Sequence, residues 1–344
     1  MVDEKSTSTR RSVLKKISAA GIGAAATGLP LNLEAIDNAS AVSSSPKKEW
    51  SDNTYSTTDA CGSWDLKVGL GMDVGFFGAT WIPSRDAWEY NFREDSCSAS
   101  EHACDGSDTN IIERQEMYVT QGSAPDVAGH NGPEYTGVYP EIEYDPYSYD
   151  DLALDLAEVA VAEVSAVANF VFTAAEIVGN MHADDGNTWR SKPVHHDWDY
   201  KSENGYQYGD VSHYKWWTVD AEPGSESWID LYSNVYGLLD TNCSLNMTFK
   251  CAGGDPPTEG TGNIQSIGQP SYSTSEQNPP MDASLDEWNI ERIPPENIES
   301  RGKELNIPPH TIDELMGSGK PAFFAHTPPV KAEIKKNVGF DDTS

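Results

Sequence analysis

Trp64-Asp65-Leu66-Lys67-Val68-Gly69-Leu70-Gly71-Met72-Asp73-Val74-Gly75-Phe76-Phe77 is the stretch on which the fold turns. Its aliphatic and aromatic residues, bounded by Gly, Pro and Ser, predict a β-strand, and Ala87–Phe92 repeats the pattern after a short turn. Gly69-Leu70-Gly71 with Gly75 has a superficial likeness to a dinucleotide-binding loop. The last spacing is wrong, however, and Phe76-Phe77-Gly78 continues the strand where a helix would have to begin. The segment from Tyr206 to Cys251 extends the β pattern. It is clearest at Leu245-Asn246-Met247-Thr248-Phe249, where apolar and polar residues alternate with period two.

Between these strand-like regions the period changes. Polar or small residues recur at Asp155, Glu158, Ala162, Ser165, Asn169, Thr173, Glu176 and Asn180, stepping by three or four, which predicts a helix over 151–180 with a narrow polar stripe. Asp150 suits its N-terminal cap and Gly179-Asn180 its stop. From Leu152 to Val178 such a helix is about 40 Å long. Its mostly apolar circumference has to be buried, either in the core or against a partner or membrane surface through residues such as Val159, Val167, Phe170 and Val171. A membrane span is disfavoured, because Glu163 and Glu176 leave only twelve uncharged residues between them where about 20 are needed. The expected fold class is α+β: an antiparallel, β-rich, sandwich-like domain with one long, mostly apolar helix.

Composition divides the rest of the chain. The globular domain is expected over 61–252. Residues 42–60 read as a Ser-rich linker, and 253–344 as a largely irregular tail marked by Pro256-Pro257, Pro279-Pro280, Pro294-Pro295, Pro308-Pro309 and Pro328-Pro329. Ile312–Met316 and Val330–Lys336 are the pieces of that tail expected to form helical turns or to dock.

The N-terminus has the layout of a twin-arginine signal peptide. Arg10-Arg11 is followed by Val13 and Leu14, a weakly hydrophobic Ala/Gly-rich stretch over 17–29, and Ala39-Ser40-Ala41 as a cleavage site. The expectation is export of a folded chain by the Tat translocase, to a secreted or cell-surface destination. Of the 23 basic and 55 acidic residues, five and four lie in residues 1–41, so residues 42–344 carry 18 against 51, a net charge of −33. The acidic residues are spread along the chain and describe a surface suited to molar salt, where the Debye length is about 3 Å. That charge excludes nucleic acid as a partner. Ten Trp, fifteen Tyr and nine Phe argue against intrinsic disorder in the central region.

Five cysteines in an exported chain imply up to two disulfides. Proximity favours Cys97–Cys104 and Cys243–Cys251, leaving Cys61 free or paired between chains. A zinc reading of Cys97, His102 and Cys104 fits no structural zinc spacing. His195-His196, followed by Asp197, Asp199 and later His213, is the candidate metal or acid–base constellation, and a surface loop is the plainer reading. There is no H-E-x-x-H, G-x-S-x-G or P-loop and no cofactor motif, so the sequence leans away from an enzyme. Asn242-Cys243-Ser244 and Asn246-Met247-Thr248 are weak glycosylation acceptors.

The order of elements resembles the N-terminal immunity (pro-) region of haloarchaeal microhalocin precursors. The collinear pieces are the twin-arginine leader, Lys67-Val68-Gly69-Leu70-Gly71-Met72-Asp73, Pro140-Glu141-Ile142-Glu143-Tyr144, the Ala-rich helix, Trp198-Asp199-Tyr200 and Ile290-Glu291-Arg292-Ile293-Pro294. Family precursors end in a Cys-rich toxin peptide, whereas no cysteine follows Cys251 here. The resemblance implies a stand-alone immunity-like protein that binds or neutralises a peptide partner. The other classes weighed are an exported metal-dependent hydrolase using His195, His196 and nearby Asp residues, and a structural component of the cell surface associated with an envelope protein.

Overall fold

The computed structural model of the chain describes residues 46–58, 61, 65–131, 135–140, 189–191, 194–238, 243–257 and 285–335. The expected leader with Arg10, Arg11, Ala39 and Ala41 lies outside the described residues. So does the helix expected over 151–180 with Val159, Val167, Phe170 and Val171.

Two mostly antiparallel sheets carry the fold. The larger, nine-stranded sheet contains β1 (Lys48–Thr57), β2 (Leu66–Ile82), β3 (Ala87–His102), β5 (Val127–Asn131), β6 (Thr136–Tyr139), β7 (Trp189–Ser191), β9 (Asp210–Ala221), β12 (Ile290–Ile293) and β13 (Ala322–Ala325). The smaller sheet runs in the order β14 (Val330–Lys335), β11 (Cys243–Ala252), β10 (Glu226–Gly237), β4 (Ile112–Val119) and β8 (Val194–Asp199). Three short helices complete the described chain: α1 (Tyr200–Asn204), α2 (Ile298–Glu304) and α3 (Pro309–Ser318). Among the described residues no helix is long and apolar enough to cross a membrane.

The core forms where the inner faces of the two sheets meet. Leu66, Val68, Leu70, Met72, Val74 and Phe76 of β2 turn inward at every second position. A bulge between Phe76 and Gly78 then shifts the register, so Ala79 and Trp81 face the core in their turn. Gly78 at that bulge has φ +124°, and a Cβ there would lie 2.2 Å from Phe324, so only glycine fits. Opposite β2, the inner residues Leu245, Met247 and Phe249 of β11 bear out the period-two reading, with Asn246 and Thr248 pointing to the other face. Phe249 meets Trp50, Phe92 and Trp217 at centroid distances of 5.4, 5.2 and 5.7 Å, while Phe92 stacks on Trp217 at 4.4 Å.

The flanking regions differ from their sequence reading. Residues 48–57, expected in a Ser-rich linker, form β1 and pair with β2 along ten residues. Their side chains alternate between half-buried and exposed, because Trp50, Thr54 and Ser56 approach the sandwich while Ser51, Asn53 and Tyr55 face away. Much of 285–335, expected to be irregular, is regular structure. β12 and β13 extend the nine-stranded sheet, β14 joins the edge of the smaller sheet at β11, and α2 and α3 bury a second apolar cluster around Ile82 and Phe324. The Pro pairs act there as punctuation. Pro294-Pro295 opens a 3-10 turn, Pro308-Pro309 starts α3, and Pro328-Pro329 precedes β14.

The disulfide pairing inferred from proximity is corrected as well. Cys104 bonds Cys61, with Cα atoms 5.6 Å apart, and Cys97, Cys243 and Cys251 are buried and stand outside that bridge. Cys243 and Cys251 sit at opposite ends of β11, so eight extended residues hold them about 26 Å apart. Cys97 lies within β3 opposite Gly71, well before the turn that carries Cys104.

Candidate functional site

Strand β8 decides where the histidine–aspartate constellation goes. A strand sends successive side chains to opposite faces, so His195 and Asp197 point outward while Val194, His196 and Trp198 point into the sandwich. The pair is not brought together on one ligand. Among the described residues no group of three or more His, Cys, Asp or Glu side chains is placed to hold a metal ion. In the other metal reading, Cys104 is taken by its disulfide and His102 Nδ1 faces Asp65 at 3.1 Å.

Outward, His195 and Asp197 join a lattice across β8, β4 and β10. Glu116 on β4 is its centre. It accepts hydrogen bonds from Tyr236 Oη at 2.7 Å and Asn234 Nδ2 at 3.2 Å, lies 2.9 Å from His195 Nε2, and is 3.4 Å from the Arg114 guanidinium. Burial pushes the Glu116 carboxyl up, but these donors and the Arg114 charge outweigh it and hold the group below the usual range. Tyr236 responds in the opposite sense: burial, then its hydrogen bond to Glu116, raise its hydroxyl to about 12. Arg114 forks onto Asp197 at 2.6 and 2.8 Å and lies over the Tyr236 ring at 4.7 Å. One row further along, Tyr118 and Tyr232 stack at 4.4 Å with planes 7° apart, and His195 meets the edge of Tyr118. Beyond them Asp230 accepts from Thr248 Oγ1 and from Lys335 Nζ at 3.1 Å, and Lys250 pairs with Glu333 at 2.9 Å.

This face stays in reach of solvent. Trp228 is 41% exposed, and the side chains of His195 and Arg114 are 46% and 33% exposed. The sequence does carry a signal for it: Arg114, Glu116 and Tyr118 alternate with inner residues, as do Trp228, Asp230, Tyr232, Asn234 and Tyr236. Asn246 belongs to the same face but is 5% exposed, which leaves its amide poorly placed as a glycosylation acceptor.

Inward, the remainder of the constellation builds a buried relay between the sheets. His213 Nε2 on β9 lies 3.3 Å from Glu94 Oε1, and its Nδ1 lies 3.0 Å from Gln115 Oε1. Gln115 donates in turn to Tyr200 Oη and to the Ser212 carbonyl. The Gln115 oxygen can only accept, so it takes its hydrogen bond from the Nδ1–H of His213. Trp198 stacks between the two inner histidines, 5.4 Å from His196 and 4.8 Å from His213. Burial first, then the charges of Lys215, His213 and His195, push His196 down to about 3, so it is neutral at physiological pH. Lys215, fully buried in the same layer, donates to the His130 carbonyl and Thr136 Oγ1, both at 2.6 Å. The relay fixes the sheets relative to one another, while the outer lattice is a preassembled surface of aromatic edges, hydroxyls and paired charges. No protein family matches the chain, and no curated protein matches it.

Proposed function

We propose that the chain is an exported, non-enzymatic, immunity-like binding protein, secreted or held at the cell surface, that takes a peptide partner on the outer face of the five-stranded sheet. The observation that carries this reading is the Glu116-centred lattice. Tyr, Trp and Arg are the residues that concentrate binding energy at protein interfaces. Here Arg114 lies over Tyr236 and Tyr118 stacks on Tyr232, which lowers the entropy lost on association. Collinearity with microhalocin pro-regions supports a peptide as the partner, and the helix over 151–180 is the proposed α part of the domain. Expression of the chain in a halocin-sensitive strain tests the neutralising role. Growth should be rescued against at least one of several microhalocins, and unchanged killing by all of them overturns it.

A further inference from the structure

We infer that the outer face of the nine-stranded sheet is the seat of the chain's own segment 151–180, which docks over β2, β3 and β9 and is thereby withheld from membranes and partners. The inference rests on the helical reading of 151–180 and is independent of the peptide-binding one. Gly69, Gly71 and Gly75 alternate along β2 with the core residues Leu70, Met72 and Val74, so they point away from the sandwich. Their cross-strand neighbours Ala99, Cys97 and Arg93, and next to these Ser212 and Trp216, share that face. A bare sheet face leaves such residues open to water. Instead Ser212 and Tyr214 are 0% exposed and Cys97 and Arg93 1%, while Tyr55 on the neighbouring β1 is 65% exposed. The covered band is three strands wide, about 10 Å, which is the width of one helix.

Helix α3 does not supply this cover. It meets the face at Glu89 through Thr311 and runs on to Ser84 through Glu314, away from Cys97. Cys97 lies eight residues further along β3, a distance of about 27 Å. Of the internal segments outside the described residues, only 141–188 and 258–284 are longer than a few residues. The second leaves and re-enters at the far end of the sandwich, where Tyr90 Oη donates to the Ala252 carbonyl and Trp288 packs on Trp88. The first leaves β6 at Tyr139, paired with Ser212 among the covered rows, and returns at Trp189 on β7 in the same sheet. Residues 1–45 lead in beside Gly75, at Pro46, but the proposed cleavage after Ala41 leaves only residues 42–45 of them. Shape agrees with 151–180 as the occupant. Opposite its polar stripe it carries Ala157, Ala160, Val164, Val167 and Val171, at steps of three and four. These short side chains meet a sheet whose glycines have none, and glycine within a strand marks a close approach of another backbone. Asp155, Glu158 and Glu176 of the stripe then face solvent with the rest of the acidic coat.

Cys97 reports on the cover from beneath it, while Cys243 and Cys251, buried in the other sheet, report on the fold. The full chain in molar salt is treated with iodoacetamide and peptide-mapped as wild type, as Val164→Asp/Val167→Asp and, with the other segment altered, as Ile264→Asp/Ile267→Asp. Cys97 should be labelled slowly in the wild type and in Ile264→Asp/Ile267→Asp. In Val164→Asp/Val167→Asp it should react at least about tenfold faster, with Cys243 and Cys251 still protected. Rapid labelling of Cys97 in the wild type means a bare face and overturns the inference. So does protection that survives Val164→Asp/Val167→Asp, or that is lost in Ile264→Asp/Ile267→Asp instead. If all three cysteines react together because the variant unfolds, oxidative cross-linking of otherwise wild-type chains decides. Cys97 should bond to at least one of Ala160→Cys, Val164→Cys and Val167→Cys, and not to Ile264→Cys. A link to none of the three, or to Ile264→Cys, overturns the docking.

Discussion

Glu116→Gln keeps the shape of the side chain at the centre of the outer lattice and removes its charge. In the wild type that carboxylate is held by Tyr236, His195, Asn234 and Arg114. A hydrogen bond to a charged group contributes about 1.5–3 kcal/mol and a neutral one about 1 kcal/mol. With the partners on the solvent side able to rehydrate, the net loss is about 2 kcal/mol. For a domain of this size that lowers Tm by about 4–8 °C, read by tryptophan fluorescence in molar salt at neutral pH. The pH dependence sharpens the test. The folded-state pKa of Glu116 lies below its ordinary value, so its contribution is complete above the unfolded value of about 4.3 and is lost as pH falls through the folded one. The gap between wild type and Glu116→Gln should therefore be full at pH 7 and close in acid. Equal Tm values at neutral pH, or a gap that persists in acid, would contradict this role for the Glu116 carboxylate.

Other parts of the fold give equally direct expectations. Cys61→Ser removes a bridge across a sequence separation of 43, which costs about 4 kcal/mol on the chain-entropy relation. Peptide mapping should find Cys61 linked to Cys104, with Cys97, Cys243 and Cys251 alkylated only once the chain unfolds. His213→Leu strands the buried Glu94 carboxylate and should cost about 3–5 kcal/mol in urea denaturation. The double variant Glu94→Leu/His213→Leu should recover most of that loss, and strictly additive losses would contradict the coupling. Phe249→Ala empties the contact among Trp50, Phe92 and Trp217 and should cost about 3–5 kcal/mol.

Particular residues show how far the sequence could be read. Leu245–Phe249 was legible because one face of β11 packs into the apolar core while the other carries the polar Asn246 and Thr248, so hydropathy alternates with the pleat. Residues 64–77 read as a strand for a related reason, but the length of β2 and its bulge were hidden, since both of its faces are buried and alternation carries little information. β1 was lost among Ser, Thr and Asn because an edge strand needs only every second residue to approach the core. The Pro pairs were taken for an irregular tail, although proline is as much at home at the first turn of a helix and just before a strand. In β3, Glu94, Ser96 and Ser98 are buried polar residues whose partners come from distant strands and backbone, which no local pattern reveals. The His195-His196 pair misled for the simplest reason: adjacency in a strand is separation in space. Tyr118 and Tyr232 are 114 positions apart in the chain, and only the pairing of β4 with β10 makes them neighbours.

The proposed binding role stands or falls on whether a peptide partner docks at the Tyr118–Tyr232 stack on the outer face of the five-stranded sheet. Titration calorimetry of the full chain with a microhalocin peptide, in molar salt, measures it most directly. Binding should saturate, with an affinity that falls about tenfold in Tyr232→Ala. No binding, or an affinity that Tyr232→Ala leaves unchanged, would contradict it.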